Sequence, residues 1–188
     1  MRWRHVVVVA GLAVTSPGVA AQDTALEDFA GSWRGAEVQV GGDASGLMLE
    51  ANDLDVQIES AGSGFRISWT GLAREDGGAL APQASEAGFV LTERPGVYAF
   101  EPGGSSLLSR LFADPATGNP LAGETLLWAR LAGDTLTVYS LAVDPRGGFE
   151  LGRYARTLRD GGLDVHYTLR LENDRVATVE GRAELGGG

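Results

Sequence analysis

Residues 124–185 read ETLLWARLAGDTLTVYSLAVDPRGGFELGRYARTLRDGGLDVHYTLRLENDRVATVEGRAEL, and their pattern indicates an all-β fold. Apolar and polar residues alternate along it at period two, which is the spacing of a strand with one buried face. Clusters of Gly, Asp, Asn and Pro interrupt the alternation and predict tight turns between neighbouring strands. Five strands are predicted, at residues 124–131, 135–143, 149–158, 163–171 and 175–185.

The same alternation extends towards the N-terminus. Strands are predicted at residues 33–40, 54–59, 65–70, 89–93 and 97–100, and residues 47–50 are a further candidate. A sheet of consecutive strands exposes two edges unless it closes on itself. We therefore expect an all-β fold, namely a single closed or nearly closed antiparallel up-and-down β-barrel of 8–10 strands.

Two segments interrupt the strand pattern. Residues 71–88 are rich in Gly, Ala, Glu and Asp and are predicted to form a long loop. Residues 101–123 form a second long loop, in which the apolar residues between Leu107 and Phe112 have the spacing of one face of a short helix. We expect this helix to cover one mouth of the barrel.

The composition excludes several kinds of chemistry. The chain has 188 residues, a formal net charge of −10 and no Cys, and its 15 basic residues are all Arg. Disulfides, thiolate metal sites, cysteine nucleophiles and Schiff-base lysines are therefore excluded. The acidic balance argues against nucleic acid and anionic membrane surfaces as partners, because both attract cationic proteins.

The N-terminus has the architecture of a secretory signal peptide. Arg2 and Arg4 precede an apolar run at residues 6–14, and small residues lead to a cleavage site after Ala21. The apolar run is too short to span a bilayer, so no transmembrane segment is expected in the mature chain. We expect residues 1–21 to be removed, and residues 22–188 to form one periplasmic or secreted domain.

The opening of the mature chain resembles a known family. Gly31, Ser32 and Trp33, followed by the long meander, are similar to the Gly-x-Trp opening of the calycins, the lipocalin and fatty-acid-binding barrels. The resemblance implies that the barrel binds one hydrophobic molecule, and that an arginine from a late strand packs across Trp33. Arg182 lies on the last predicted strand and Arg156 two strands earlier, but the alternation places Arg182 outside unless a bulge shifts the register.

Residues 31–35 also resemble the opening of nitrobindin-like haem barrels, and haem needs an axial ligand. His166 is the one histidine of the predicted mature chain. It shares a strand face with Asp164, opposite an apolar face, so we expect it outside the barrel in a surface pair with Asp164. Neither a cofactor nor a metal is expected.

The predicted ligand-binding residues are aromatic side chains on separate strands together with one arginine. They are Trp69, Tyr98, Trp128, Tyr139, Tyr154, Arg156 and Tyr167. The alternation hesitates within residues 149–158, which suggests a bulge there. An inward Arg156 beside Tyr154 would suit a carboxylate or another anionic head group.

Two functions from different classes remain open. The first is a binding protein that holds a small hydrophobic or amphipathic ligand in the barrel. The alternative is a non-catalytic protein-interaction module, of the protease-inhibitor or envelope-assembly type, that works through residues 71–88 and 101–123 on a packed barrel. Catalysis is not favoured, because no acid, base or nucleophile has a distinctive spacing.

Overall fold

The computed structural model describes residues 24–74, 79–101, 119–143 and 146–186. Ten strands follow one another in the chain. They are β1 (Gly31–Gly42), β2 (Val56–Ala61), β3 (Gly64–Arg74), β4 (Leu80–Leu91), β5 (Val97–Phe100), β6 (Leu126–Ala132), β7 (Thr135–Val143), β8 (Phe149–Arg159), β9 (Gly162–Leu171) and β10 (Val176–Leu185). The helical segments in the described ranges are short 3-10 turns at Leu26–Phe29, Ala51–Leu54, Pro120–Ala122 and Glu172–Asp174.

The strands form a ring in which each pairs antiparallel with the next, and β1 closes the ring by pairing with β10. The predicted all-β, up-and-down barrel is therefore confirmed. Closure is uneven around the ring: β5 shares three residue pairs with β4 and three with β6, whereas β3 and β4 share ten. At the end of the barrel where β4 begins, β4 and β6 are consequently not bridged by β5.

The strands predicted for residues 124–185 agree with β6 to β10 within two residues at each boundary. The tight turn between β8 and β9 shows why. Asp160 and Gly161 both have positive φ, at 50° and 76°, as the central residues of a two-residue hairpin turn require. Turn residues and alternation together fixed these strands.

The prediction of a loop at residues 71–88 was wrong for residues 71–74 and 80–88, and residues 75–78 lie outside the described ranges. β3 continues to Arg74 and pairs with β4, from Gly71 opposite Gln83 to Arg74 opposite Leu80. Small residues with low strand propensity are held in the sheet here by pairing with a neighbouring strand. The further strand candidate at residues 47–50 was also wrong, since these residues are irregular and lead into a 3-10 turn. The predicted helix at residues 107–112 and the predicted signal peptide lie outside the described residues.

The bulge predicted within residues 149–158 is absent, because β8 pairs in continuous register with both β7 and β9. The register shift occurs instead in β1, between Gly35 and Glu37. The 3-10 turn at Ala51–Leu54 packs there so closely that a Cβ on Gly35 would lie 1.6 Å from the Ala51 carbonyl oxygen. The Asp55 carboxylate accepts a hydrogen bond from the Gly35 amide at 2.9 Å, so the bulge leaves that donor satisfied.

One end of the barrel is packed with aromatic side chains. Phe65 stacks on Phe89 with ring centroids 5.0 Å apart and meets Tyr98 edge to face at 5.2 Å. Phe29 is fully buried, and its carbonyl accepts a hydrogen bond from Trp33 Nε1 at 2.9 Å. The Gly-x-Trp opening thus ties the N-terminal 3-10 turn to this closed end.

Phe65→Ala should lower the free energy of unfolding by about 3–5 kcal/mol, because it leaves a cavity beside two aromatic rings. Urea unfolding measures this loss. Met48→Ala is the control, since Met48 is 93% exposed and its loss should change stability by less than about 0.5 kcal/mol. Equal effects of the two substitutions would contradict the placement of Phe65 in the core.

Candidate functional site

A buried arginine lies in the middle of the barrel. Arg156 on β8 is fully buried, and its Nη2 donates a hydrogen bond to the Tyr167 hydroxyl at 2.9 Å. Its Nη1 donates to the Tyr154 carbonyl at 3.3 Å. The guanidinium carbon lies 5.1 Å from the Tyr167 ring centroid and 5.7 Å from that of Trp69. These four side chains form a layer across the interior, which we call the arginine layer.

The charge of Arg156 is unusual for so buried a position, since unpaired charges are costly to remove from water. Within the described ranges Arg156 forms no ion pair with a carboxylate, and its Nε has no hydrogen-bond partner. The faces of Trp69 and Tyr167 offset part of the cost through cation–π attraction. The two hydrogen bonds offset more of it.

Tyr154 covers the cavity side of Arg156, because two glycines make room for its phenol. A Cβ on Gly152 would lie 2.3 Å from Ser140 Oγ and 2.8 Å from Tyr154 Cε2. A Cβ on Gly71, across the barrel on β3, would lie 3.1 Å from Tyr154 Cε1. The phenol therefore extends over Gly152 towards β3, and it is hydrogen bonded to Ser140.

Burial controls the ionisation of both tyrosines in the layer. Removal from water raises the pKa of Tyr154 to about 12, although the Ser140 hydrogen bond opposes the shift. Burial also raises the pKa of Tyr167, against the effect of the neighbouring Arg156 charge. Both phenols are consequently protonated at neutral pH and can donate hydrogen bonds.

Beyond Tyr154 the barrel contains a cavity of about 220 Å³. It lies at the end where β3 joins β4 and where β7 joins β8, opposite the closed end. Its lining combines apolar side chains with uncharged polar ones and one carboxylate. The lining residues are Trp69, Gly71, Leu72, Ala73, Gln83, Ser85, Thr125, Leu127, Ser140, Ala142, Glu150, Tyr154 and Leu169.

The indole N–H of Trp69 has no hydrogen-bond partner among the described residues. Trp69 is 5% exposed and lines the cavity, and among the described residues its Nε1 and Arg156 Nε are the buried side-chain polar atoms without a hydrogen bond. A buried donor left unsatisfied costs about 1–3 kcal/mol. This cost disappears when an acceptor enters the cavity beside it.

The structure divides the predicted ligand-binding residues into three groups. The first group is the arginine layer, in which Trp69 and Tyr154 line the cavity. Arg156 and Tyr167 lie behind them. Tyr98 is buried in the packed end against Phe65, away from the cavity lining. The remaining two, Trp128 and Tyr139, form the third group.

Trp128 and Tyr139 do not face the interior. They stack on one another with ring centroids 4.9 Å apart, in a directly opposed pair of β6 and β7. The inward positions of these strands are held by the buried Leu127, Ala129 and Val138. The alternation of both strands therefore places the two rings on the outer surface.

Arg182 also faces outwards and does not pack across Trp33. Its Nη1 donates to Asp164 at 2.8 Å and its Nη2 to the Arg159 carbonyl at 3.0 Å. Trp33 shares the opposite, inward face with Ala183. Arg156 is the late-strand arginine that packs on a tryptophan inside the barrel, but that tryptophan is Trp69.

His166 is half-buried on the outer face. Its predicted pairing with Asp164 is wrong, because His166 Nδ1 lies 3.0 Å from Glu180 on β10 while Asp164 binds Arg182. Pairing across strands brings Glu180 directly opposite His166 and so decides between the two carboxylates. In the described ranges, no group of three or more acidic or histidine side chains that could hold a metal ion is found.

Several lining residues were not predicted from the sequence, because they are small or lie where a loop was predicted. Gln83 and Ser85 belong to the part of β4 that was predicted as a loop. The alternation of Gln83, Ser85, Ala87 and Phe89 at period two was the signal that could have found them. Gly71 matters through the absence of a side chain, and no sequence pattern announces that.

Comparisons with known proteins identify no relative. No protein-family model matches the chain, and neither a curated protein nor a solved structure matches it. No helix of the described residues is long and apolar enough to cross a membrane. A functional proposal therefore depends on the geometry of the interior.

Gly152→Ala should displace the Tyr154 phenol and lower the free energy of unfolding by about 1–3 kcal/mol, because the new methyl group overlaps Ser140 and the ring. Near-ultraviolet circular dichroism should also change, since the tyrosine loses its fixed environment. Gly46→Ala is the matched control: no atom lies within 4 Å of the added Cβ, and stability should change by less than about 0.5 kcal/mol.

Stability should fall as the pH rises from 10 to 12. The unfolded chain ionises its tyrosines near the ordinary pKa of 10.0, whereas folded Tyr154 holds its proton until about 12. The raised pKa thus contributes stability below pH 10 that is lost through this window, to the extent of about 3 kcal/mol. Urea unfolding across the window should show a smaller fall in Tyr154→Phe, and an equal fall would contradict this account.

Proposed function

We propose that this protein binds one small hydrophobic or amphipathic molecule in the cavity between Tyr154 and the end of the barrel where β3 joins β4. The observation that carries the proposal is the contrast between the two halves of the interior. One half is packed with Phe65, Phe89 and Tyr98, and the other half holds about 220 Å³ of space. Protein interiors are close-packed, so such a void at the mouth of a barrel favours a ligand site.

The cavity volume limits the size of the ligand. Pockets for drug-sized ligands span roughly 300–1,000 Å³, and a cavity of roughly 150 Å³ is large enough for benzene. At about 220 Å³, the space suits one substituted ring or a short acyl chain. The apolar walls formed by Leu72, Leu127 and Leu169 favour the hydrocarbon part of such a molecule.

Two expectations from the sequence support the same proposal. The Gly-x-Trp opening resembles that of the calycins, whose barrels hold hydrophobic molecules. The N-terminal residues 1–21 resemble a signal peptide, so we propose that the protein acts in the periplasm or outside the cell. There a barrel with an interior site serves as a carrier or a scavenger of sparingly soluble molecules.

Native mass spectrometry of the exported protein tests the proposal. A bound molecule should appear as a mass excess that disappears on denaturation. Ala142→Phe, which fills the cavity from β7, should remove the excess. Ala132→Phe adds the same side chain at an exposed position near the β6–β7 turn and should leave it intact.

An empty wild-type protein that also refuses short-chain fatty acids and substituted benzenes would contradict ligand binding. It would favour the second candidate, a protein-interaction module. The observation that favours this candidate is the outward stack of Trp128 and Tyr139, because aromatic residues are enriched at interfaces. Leu126 and Leu141 lie on the same outer face as a directly opposed pair. Loss of a captured partner in Trp128→Ala would then support it.

A further inference from the structure

The inner end of the cavity presents two hydrogen-bond donors to the same small region. A Cβ on Gly71 would lie 3.2 Å from the Tyr154 hydroxyl oxygen and 3.3 Å from Trp69 Nε1. The Trp69 donor is buried, lines the cavity and has no partner among the described residues. Both donors therefore flank Gly71, and no side chain at that position covers them.

The Tyr154 hydroxyl can donate in the same direction. The Ser140 hydroxyl, bonded to Tyr154, can donate to the phenol oxygen and leave the phenol O–H for another acceptor. Burial keeps this phenol protonated at neutral pH. Two donors beside the same glycine suit an oxygen with two lone pairs, as in a carbonyl group.

The charges near the site disfavour an anionic ligand. The Arg156 guanidinium lies behind the Trp69 and Tyr154 rings, does not line the cavity and already donates to Tyr167 and to a backbone carbonyl. A carboxylate ligand would lose its hydration here without direct contact with the cation.

We propose that the ligand carries an uncharged carbonyl oxygen at its inner end and that the Trp69 indole N–H donates a hydrogen bond to it, with the Tyr154 hydroxyl as the second donor. This inference depends on the proposed function, since it names the chemical class of molecule that the cavity takes. Ketones, aldehydes and esters with a small apolar body belong to this class. Arg156 holds the Trp69 ring in place from behind and does not touch the ligand.

Three probes of similar size test the inference by calorimetric or NMR titration. Acetophenone has the carbonyl group. In α-methylstyrene a methylene group replaces the carbonyl oxygen, and in benzoate a negatively charged oxygen replaces the methyl group. Trp69→Phe retains an aromatic ring and removes the N–H. It should weaken acetophenone binding about five- to tenfold more than it weakens α-methylstyrene binding. Trp128→Phe, on the outer face, is the matched control and should change neither.

A spectroscopic measurement on the wild-type protein gives the same information without relying on the folding of the variant. The Trp69 indole N–H proton should shift downfield when acetophenone is added and should not do so with α-methylstyrene. The signal is assigned by its absence in Trp69→Phe or, if that variant does not fold, by elimination with Trp33→Phe and Trp128→Phe, and also with Trp3→Phe where residues 1–21 are retained. The Trp33 N–H already donates to Phe29 and should not move.

The possible results separate this inference from the function on which it depends. Equal loss of both neutral probes in Trp69→Phe, or an unmoved indole signal, would overturn the carbonyl assignment while the cavity remains a binding site. Tighter binding of benzoate than of acetophenone would overturn it in favour of an anionic ligand held by Arg156. Failure of all three probes to bind would overturn the proposed function together with the inference.

Discussion

The pairing of β1 with β10 is the constraint on which the rest of the structure depends. It removes both edges of a ten-stranded meander and turns one face of every strand towards a common interior. Closure requires the sheet to curve, and β1 accommodates this with a bulge between Gly35 and Glu37. The Asp55 carboxylate and the Ala51–Leu54 turn support that bulge, so the loop before β2 takes part in closing the barrel.

Closure does not decide whether the interior is filled, because side-chain size decides that locally. At the closed end, large rings from β3, β4 and β5 meet one another. Towards the end where β3 joins β4, the inward positions hold small side chains, and the space that they do not fill is the cavity. These residues are Gly71, Ala73, Ser85, Ser140 and Ala142. Tyr154 separates the two regions, and it can reach across the barrel because the position two residues before it is Gly152.

The sequence predicted the strands well where turn residues and alternation agree, as in β6 to β10. It failed where small residues weaken the pattern, because residues 71–74 and 80–88 are held as strand by pairing with one another. It left Arg156 ambiguous, since β8 carries polar residues on its inward face and apolar ones outside. Only the pairing with β7 and β9 settles which face is buried. The prediction that Trp128 and Tyr139 face the interior was wrong, because β6 and β7 carry apolar side chains on both faces and the alternation alone does not decide the direction.

The arginine layer explains how a buried charge and a cavity coexist in one small barrel. The aromatic faces of Trp69 and Tyr167 and the Tyr167 hydroxyl stabilise the Arg156 guanidinium without a described carboxylate partner. The same contacts fix the orientation of Trp69 and thereby direct its N–H. A leucine in place of Arg156 would avoid the cost of burying a charge, but it would hold the indole only by packing. The contact between Arg156 and Trp69 thus links the buried charge to the orientation of the donor on the cavity lining.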